Sequence, residues 1–530
     1  MLDHLSAKYL KRRNFLALCG LSILPELLGA CQNGITTTAI GTLAPTSTRQ
    51  LAVPTEADWA TLASQLKGSL IRPGNTQYVS ACQLFDPRYD NIKPAAIAYC
   101  TSPTDVQNCL AFVRKFALPV APRSGGHSYA GYSTTSGLLI DVTRMNSVTT
   151  DLASDTATIG AGARLIDIYA RLAQDNLVLP GGSCATVGIT GLTLGGGVGV
   201  LGRKFGLTCD NLLAAQVVTA DGRLLTCNTR QNADLFWALR GGGGGNFGIV
   251  TSFTFQAHRV PALTLFTLRW SWSNAARVID GWQHWGPQTP DEAWSNCVMD
   301  TGSKSAPPMI SVNGVYVGKQ ADFEPLLAQL TNNIGVAPTS RYVAEASILD
   351  TMLYEAGCSD EGVAACHLPS QNPQGQLTRE IQNAKSDYFT ALLPPQAINN
   401  LLHAMNQHQA SPILRRAFII IDANGGAINR VAADATAFAH RNTLFSFQYN
   451  SNWNSRDSAA VIAAHHAWLT KTWQSMRPYA SGSAYQNYID PDLPNWQQAY
   501  YGANLARLQQ VKAIYDPHNL FHFAQSIPPA

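Results

Sequence analysis

The sequence predicts an α+β protein, with a mixed helix and strand region in its first half and an antiparallel sheet flanked by helices in its second half. Its 530 residues leave room for two or three packed units at about 150 residues per domain. Short apolar runs alternate with helical patterns up to residue 260, and longer alternating runs follow Pro261. Such alternation is typical of antiparallel sheets that bury one face.

The first half begins with a predicted strand-helix-strand unit between Ala95 and Val120. Ser102-Pro103-Thr104-Asp105 marks the helix start, and apolar residues follow at helical spacing up to Phe116. Further strands are predicted at Leu138–Val142, Thr156–Gly160, Ala214–Thr219 and Ile249–Phe255, and helices at Leu165–Gln174 and Ala233–Leu239.

The second half predicts a separate domain around an antiparallel sheet. Its predicted strands are Leu263–Trp272, Met309–Val317 and Ala417–Ile421, and its predicted helices are Phe323–Ile334 and Pro395–His408. A last helix, Leu505–Tyr515, ends at Asp516-Pro517. We therefore expect domains at 54–262 and 263–477, and a segment at 478–530 that returns to the first domain.

The first thirty residues resemble an export signal. Arg12-Arg13 followed by Phe15-Leu16 resembles a twin-arginine signal, and Leu28-Gly29-Ala30-Cys31 resembles a lipoprotein cleavage box. Residues 31–53 then predict a flexible tether. The sequence thus favours export to the periplasm or cell envelope with a lipid anchor at Cys31; the alternative is an ordinary amphipathic start with a chance arginine pair.

Composition argues against two classes of partner. Lys and Arg total 37 against 34 Asp and Glu, without a long basic block, which disfavours nucleic-acid binding. The apolar run from Phe15 to Ala30 is interrupted by Gly20, Pro25 and Glu26, and it is shorter than the roughly 20 apolar residues of a membrane span. An integral membrane domain is therefore not expected.

The sequence contains eleven cysteines and one pair of adjacent histidines. No Cys-x-x-Cys spacing occurs, and Cys358 and Cys366 are the cysteines best placed for a disulfide, although a mostly reduced set of thiols is equally compatible. His465-His466 would point about 100° apart on a helix, so we expect a helix surface rather than a metal site.

Three glycine-rich stretches carry the strongest functional signal: 123–133, 181–199 and 241–248. Adjacent glycines allow close backbone approach to a ligand and expose successive N–H groups to phosphate oxygens. The first stretch lacks the spacing of both dinucleotide turns and nucleotide-triphosphate loops. Strand-like flanks argue against flexible linkers, so the stretches predict a large ligand lying along backbone.

The motifs then resemble one family. Arg123 to His127, Gly-x-Cys184-x-x-Val-Gly, Tyr485-x-Asn487-Tyr488-x-Asp490 and Asp516-Pro517-x-Asn519-x-Phe521 occur in the order of berberine bridge enzyme-like flavin oxidases of the vanillyl-alcohol oxidase superfamily. The resemblance runs from about residue 80 to the C-terminus. It implies a two-lobed PCMH-type FAD-binding domain with its core at about 90–260, a substrate domain, and FAD attached through both His127 and Cys184.

The resemblance also implies roles for individual residues. Those carried over as FAD-binding are Arg123, Ser124, Gly125, Gly126, His127, Ser128, Gly182, Cys184, Val187, Gly188, Gly191, Leu192, Gly195, Gly196, Gly197, Gly248, Ile249, Val250, Asn487, Tyr488 and Asn519. Tyr488 takes the role of the base, Tyr129 lies at the substrate edge, and Asp422 is an acidic residue near the tyrosine. Because a phenol with a pKa near 10 is a poor base at neutral pH, nearby groups must assist Tyr488.

The function implied is a flavoprotein oxidase that takes a hydride from a carbohydrate or another alcohol and reduces dioxygen to hydrogen peroxide. Val187 matches the small residue that leaves room for dioxygen. Two alternatives stay open: a tailoring oxidase or oxidative cyclase of an aromatic natural product, and a flavin-bearing surface or binding protein. Candidate sugar-stacking residues, which could equally be core, are Trp270, Trp272, Trp294, Trp453 and Trp473.

Overall fold

The computed structural model describes residues 53–302, 305–359, 361–381 and 383–530. The predicted signal, Cys31 and nearly all of the tether lie outside these residues. The described part mixes helices with largely antiparallel sheets, which confirms the predicted α+β class. Among the described residues, no helix combines the length and apolar character that crossing a membrane requires.

Two sheets and a short strand pair occupy the first half. The strands are Ser69–Ile71 (β1), Ala96–Tyr99 (β2), Val120–Arg123 (β3), Leu138–Asp141 (β4), Val148–Asp151 (β5), Thr156–Gly160 (β6), Leu177–Val178 (β7), Leu212–Val218 (β8), Leu224–Asn228 (β9), Ile249–Gln256 (β10) and His258–Arg259 (β11). The sheet orders are β1-β2-β4-β3 and β5-β6-β10-β8-β9, and β11 pairs with β7. These two larger sheets correspond to the two expected lobes.

Helices pack around these sheets. They are Glu56–Gln65 (α1), Tyr78–Ala81 (α2), Pro103–Phe116 (α3), Leu165–Ala173 (α4), Ile189–Leu194 (α5), Gly202–Phe205 (α6) and Ala233–Ala238 (α7). The α3 start is the one predicted, because the Ser102 side chain accepts a hydrogen bond from the Asp105 N–H. β2 and β3, on either side of α3 in sequence, both pair with β4 in parallel.

A seven-stranded antiparallel sheet dominates the second half. Its strands are Leu263–Trp270 (β12), Ala293–Asp300 (β13), Met309–Val317 (β14), Ser340–Ala346 (β15), Asn383–Phe389 (β16), Arg416–Ala423 (β17) and Phe445–Asn452 (β18). They pair in the order β15-β12-β14-β13-β17-β18-β16. The expected antiparallel sheet is therefore present, and it contains four strands that the sequence patterns did not predict: β13, β15, β16 and β18.

The helices that follow β12 in sequence are Ala275–Trp285 (α8), Gln320–Ile334 (α9), Ile348–Glu355 (α10), Gly362–Ala365 (α11), Pro395–Ala410 (α12), Ala427–Arg430 (α13), Ala459–Met476 (α14), Trp496–Tyr501 (α15) and Leu505–Tyr515 (α16). Two polar contacts fix α8 and α14 on one face of the sheet. Trp282 of α8 donates to the Ser295 hydroxyl at 3.0 Å, and His465 of α14 bonds the Ser451 hydroxyl at 2.7 Å. His465 is thus fully buried, and its expected place on a helix surface is wrong.

The C-terminal segment contacts the third glycine-rich stretch. The buried Lys512 ammonium donates to the carbonyls of Asn246 and Phe521, each at 2.7 Å, and forms an ion pair with Asp516. The Ile527 N–H donates to the Asn246 side chain at 2.9 Å. These bonds link the chain end to the loop at 241–248; the domain boundaries at 262 and 477 stay predictions.

The cysteines divide into one bridge and a set of thiols. Cys358 and Cys366 form the disulfide that their spacing favoured. The other cysteines of the described residues are free thiols: Cys82, Cys100, Cys109, Cys184, Cys209, Cys227 and Cys297. All except Cys184 are buried. An exposed thiol among buried ones marks Cys184 as the cysteine available for chemistry.

Candidate active site

A cavity of about 410 Å³ lies between the glycine-rich loops and the seven-stranded sheet. Most of the residues predicted for the site line it: Arg123, Ser124, Gly125, Gly126, His127, Ser128, Tyr129, Gly182, Cys184, Val187, Gly188, Gly191, Leu192, Gly248, Ile249, Val250, Asp422, Asn487 and Tyr488. Residues separated by up to 365 positions in sequence (488 − 123) therefore meet in one cavity.

Four predicted residues do not line the cavity: Gly195, Gly196, Gly197 and Asn519. A Cβ atom added to Gly195 would meet the Asn487 side chain at 2.0 Å, and one added to Gly197 would meet Thr208 at 2.2 Å. The glycines therefore serve close packing against neighbouring segments. Asn519 has a φ of 51° and donates its N–H to the Asp516 carbonyl, so it forms a turn. Their cofactor contacts stay predictions.

The first two glycine-rich loops touch through their backbones. A Cβ atom on Gly125 would lie 2.2 Å from the Gly188 nitrogen, and one on Gly188 would lie 2.2 Å from the Ser124 hydroxyl. Only glycine permits this approach, which sets the segment containing His127 beside the segment containing Cys184. A Cβ on Gly191 would instead meet nothing within 4 Å. Gly191 therefore opens onto free space at the cavity wall.

We expect Gly188→Ala to lower the free energy of unfolding by about 1–3 kcal/mol, because its methyl group overlaps backbone that cannot move aside. Gly191→Ala is the matched control, and it should not destabilise the fold because its methyl group meets free space. Denaturant unfolding of both variants checks this. Equal stability of the two variants would show that the loops separate easily.

His127 is held as a neutral ring. Its ring stacks on Phe85 with centroids 4.1 Å apart, and Nε2 forms a 2.8 Å hydrogen bond with the Thr186 hydroxyl. Burial, with a contribution from the nearby Arg164, lowers the pKa of His127 to about 3. Desolvation by the surrounding cavity wall also raises the pKa of the Cys184 thiol, and the Glu380 carboxylate adds to the shift. A neutral imidazole and a protonated thiol thus face the same space.

These features fit FAD. Arg123 forms a buried ion pair with Asp141, while its Nη1 atom is buried without a hydrogen-bond partner and can donate to a ligand. Gly125, Gly126, Gly188 and Gly191 line the cavity, and the open space at Gly191 lets the backbone approach a flat or extended group. His127 and Cys184 are nucleophilic side chains on the cavity wall, as an attached flavin requires. The residues present are therefore compatible with the cofactor that the motifs predict.

One face of the seven-stranded sheet forms the opposite wall. Side chains alternate between faces along a strand, and the cavity receives every second residue of β13, β17 and β18. These residues are Trp294, Asn296, Phe418, Ile420, Asp422, Gln448 and Asn450. Asn296 pairs with Asp422, and Ile420 pairs with Gln448, so they form contiguous rows.

The sequence patterns did not predict most of the residues that form this wall. The alternation of aromatic and polar residues in 445–452 would have identified β18, and its polar positions would have identified Gln448 and Asn450. Of the tryptophans considered for sugar stacking, Trp294 lines the cavity and the other four do not. Within the described residues, His, Cys, Asp and Glu side chains form no group of three that could hold a metal ion.

Three tyrosines meet beside this wall. The rings of Tyr129 and Tyr488 are parallel within 6°, with centroids 5.9 Å apart, and Tyr485 meets Tyr488 edge-on at 4.9 Å. The Gln448 amide donates to the Tyr129 hydroxyl at 3.0 Å. The Tyr129 carbonyl in turn accepts hydrogen bonds from Arg88 and Tyr89 at 3.0 and 2.8 Å. Tyr129 is thus fixed at both ends.

The acid–base character of the wall is set by burial. Burial raises the pKa of Tyr488 well above its usual value, and the neighbouring Asp422 charge raises it further. Burial raises the pKa of Asp422 to about 7, against a hydrogen bond from Asn296 that lowers it. A carboxyl group with a pKa near neutrality is a suitable general base, whereas a phenol with a raised pKa is a poor one. The cavity therefore combines glycine-rich loops with a carboxyl group whose pKa lies near neutrality.

Such a site defines a flavin-dependent oxidoreductase, and comparison with known proteins gives the family. The family described as "FAD binding domain" matches residues 94–228, and "Berberine and berberine like" matches residues 484–528. An uncharacterized FAD-linked oxidoreductase of Bacillus subtilis, YgaK, is 34% identical over 82% of this chain and 91% of its own length. Berberine bridge enzyme-like 23 of Arabidopsis thaliana is 30% identical over 82% and 84%, respectively.

Solved structures agree. Physcomitrella patens BBE-like 1 superimposes with a TM-score of 0.81 at 33% identity, and a chitooligosaccharide oxidase with a TM-score of 0.78 at 28% identity. Each comparison covers 89% of this chain and 99% of the other. The chain therefore belongs to the berberine bridge enzyme-like family of FAD-linked oxidoreductases. It is an FAD-dependent oxidoreductase with a small-molecule substrate.

Proposed function

We propose that the protein is an oxidase that takes a hydride from an alcohol, in particular a carbohydrate hydroxyl, and passes the electrons to dioxygen to give hydrogen peroxide. The observation that carries this proposal is the placement of Asp422, Tyr488 and Tyr129 in the cavity that His127 and Cys184 also line. The similarity to a chitooligosaccharide oxidase supports a sugar substrate. Arg12-Arg13 and Cys31 support export and lipid anchoring.

His127 and Cys184 would hold FAD through two covalent bonds, and Arg123 with the glycine backbone at 124–126 and 188–191 would bind the rest of it. Bound FAD supplies the two-electron acceptor and the route to dioxygen. The contact between Gly125 and Gly188 fixes the two attachment residues on adjoining loops. Val187, a small side chain of the cavity wall, would leave room for dioxygen.

Asp422 would accept the hydroxyl proton of the substrate. Its pKa near 7 leaves a large fraction ionised at neutral pH, whereas burial keeps Tyr488 protonated. Tyr488 would then orient the substrate hydroxyl by hydrogen bonding, or relay its proton to Asp422. The directions of the two pKa shifts support this division of labour, whereas the motif alone implies Tyr488 as the base.

The sheet wall would orient the substrate. Asn296, Gln448 and Asn450 offer carboxamides that both donate and accept hydrogen bonds, which suits the hydroxyl groups of a sugar. Trp294 and Phe418 offer apolar faces beside them. Peroxide measured with a panel of monosaccharides, oligosaccharides and phenolic alcohols tests the proposal. A panel in which only an aromatic substrate reacts, and closes a ring, would favour the oxidative cyclase.

The proposed base predicts a pH profile. Because only the carboxylate form of Asp422 accepts a proton, kcat/KM should fall about tenfold for each pH unit below about 7 and level off above it. Asp422→Asn should lose this fall in kcat/KM at low pH, whereas Glu324→Gln, which changes a surface carboxyl group paired with Arg341, should retain it. Steady-state oxygen consumption across the pH range measures both. If kcat/KM of Asp422→Asn falls below pH 7 as in the wild type, a group other than Asp422 causes the pH dependence.

A further inference from the structure

A second carboxyl group faces the substrate side of the cavity. Glu355 is the last residue of α10, and its half-buried side chain lines the cavity together with Asp422. Nothing in the glycine-rich or C-terminal motifs points to it, because α10 belongs to none of them. Burial raises the pKa of Glu355 to about 7, and the Asp422 charge adds to the shift, so the two groups lie within electrostatic reach of each other.

Among the described residues that line the cavity there is no lysine, and the one arginine, Arg123 at the end of β3, is paired with Asp141 at the end of β4. A buried carboxylate is costly without a positive charge beside it, and burial accordingly raises the pKa values of Glu355 and Asp422 to about 7. A cationic ligand in the cavity would therefore favour the ionised form of both groups.

The same wall supplies groups for a hydroxylated ligand. Asn296, Gln448 and Asn450 line the cavity alongside Asp422 and can bond hydroxyl groups in either direction. The nearby faces of Trp294 and Phe418 attract a cation as well as an apolar ring surface. A ligand that combines hydroxyl groups with a protonated amine would bond the polar side chains of the sheet and pair its charge with the carboxyl groups. A ligand with a carboxylate would face like charges.

We propose that Glu355 is a specificity-determining residue that favours alcohols bearing a protonated amine, such as amino sugars, over alcohols bearing a carboxylate. This inference rests on the proposed function, because it names the substrate class of the same cavity. Glu355 contacts the amine directly, while Asp422 remains the proton acceptor at the reacting hydroxyl. The two carboxyl groups thereby have separate tasks.

The test compares binding of glucosamine, glucose and glucuronate to the flavin-loaded protein at pH 7 without oxygen, followed by the change in flavin absorbance. We expect the wild type to bind glucosamine at least about tenfold more tightly than glucuronate. Glu355→Gln keeps the size of the side chain and should reduce that ratio at least about fivefold. Glu324→Gln is the matched control, because Glu324 lies on α9 in a surface ion pair with Arg341, and its ratio should equal that of the wild type.

Three results would overturn the inference. They are equal binding of glucosamine and glucuronate, a Glu355→Gln ratio equal to that of the wild type, and no response to glucosamine up to about 100 mM. Flavin reduction is recorded separately in the same samples. If the binding order holds and depends on Glu355 while none of the ligands reduces the flavin, the inference stands and the proposed sugar oxidation fails.

Discussion

Asp422→Asn should slow anaerobic reduction of the flavin by an alcohol about 10²- to 10⁴-fold, because it removes the group that we propose as proton acceptor. Asparagine has the same size and keeps the register position opposite Asn296 in the sheet. Substrate binding and flavin content should therefore change little. The rate of flavin reduction is measured by rapidly mixing oxygen-free protein with the alcohol of the panel that reacts fastest.

Tyr488→Phe is the matched comparison. It removes one hydroxyl from the same cavity and keeps the ring that packs against Tyr129 and Tyr485. If Tyr488 only orients or relays, its loss should slow flavin reduction less than Asp422→Asn does. A larger loss in Tyr488→Phe, with a near-normal rate in Asp422→Asn, would return the role of base to the phenol.

Replacing both His127 and Cys184 with alanine should release all of the FAD when the protein is precipitated with acid. Each residue faces the cavity from a separate loop, so His127→Ala or Cys184→Ala alone should leave one bond and a yellow pellet. Cys297→Ala is the control for removing a thiol elsewhere, since Cys297 is buried in β13. Absorbance of the pellet and of the supernatant measures the attached and free fractions.

Acid precipitation of the wild-type protein tests whether FAD is covalently attached at all. A colourless pellet and free FAD from the unmodified protein would contradict both covalent bonds. If Cys184→Ala alone releases all of the FAD, the bond to His127 is absent, and the reverse result removes the bond to Cys184. Retention in the double variant would place an attachment on a third residue.

The sequence patterns located the glycine-rich loops that line the cavity, because close backbone approach demands glycine and glycine clusters are visible in a single sequence. They could not tell which of these glycines line the cavity. Gly191 opens onto free space, whereas Gly195 packs against Asn487, nearly 300 residues further along the chain. That distinction depends on tertiary contacts, which local spacing does not contain.

The substrate side was harder to predict for a different reason. Its residues come from separate strands, and the register of β13, β17 and β18 brings Asn296, Asp422 and Gln448 onto one face. Asp422 was found through the family resemblance. Glu355 lies at a helix end outside every motif, so only the folded chain shows that it shares a cavity with Asp422.

The proposed oxidation of an alcohol in the cavity of His127, Cys184 and Asp422, with dioxygen as the electron acceptor, can be measured through the stoichiometry of one reaction. The best alcohol of the panel first reduces the flavin without oxygen, and oxygen is then added. We expect equal amounts of carbonyl product and hydrogen peroxide, with Asp422→Asn forming both far more slowly. Reduced flavin that persists in oxygen, or a product without a new carbonyl group, would contradict it.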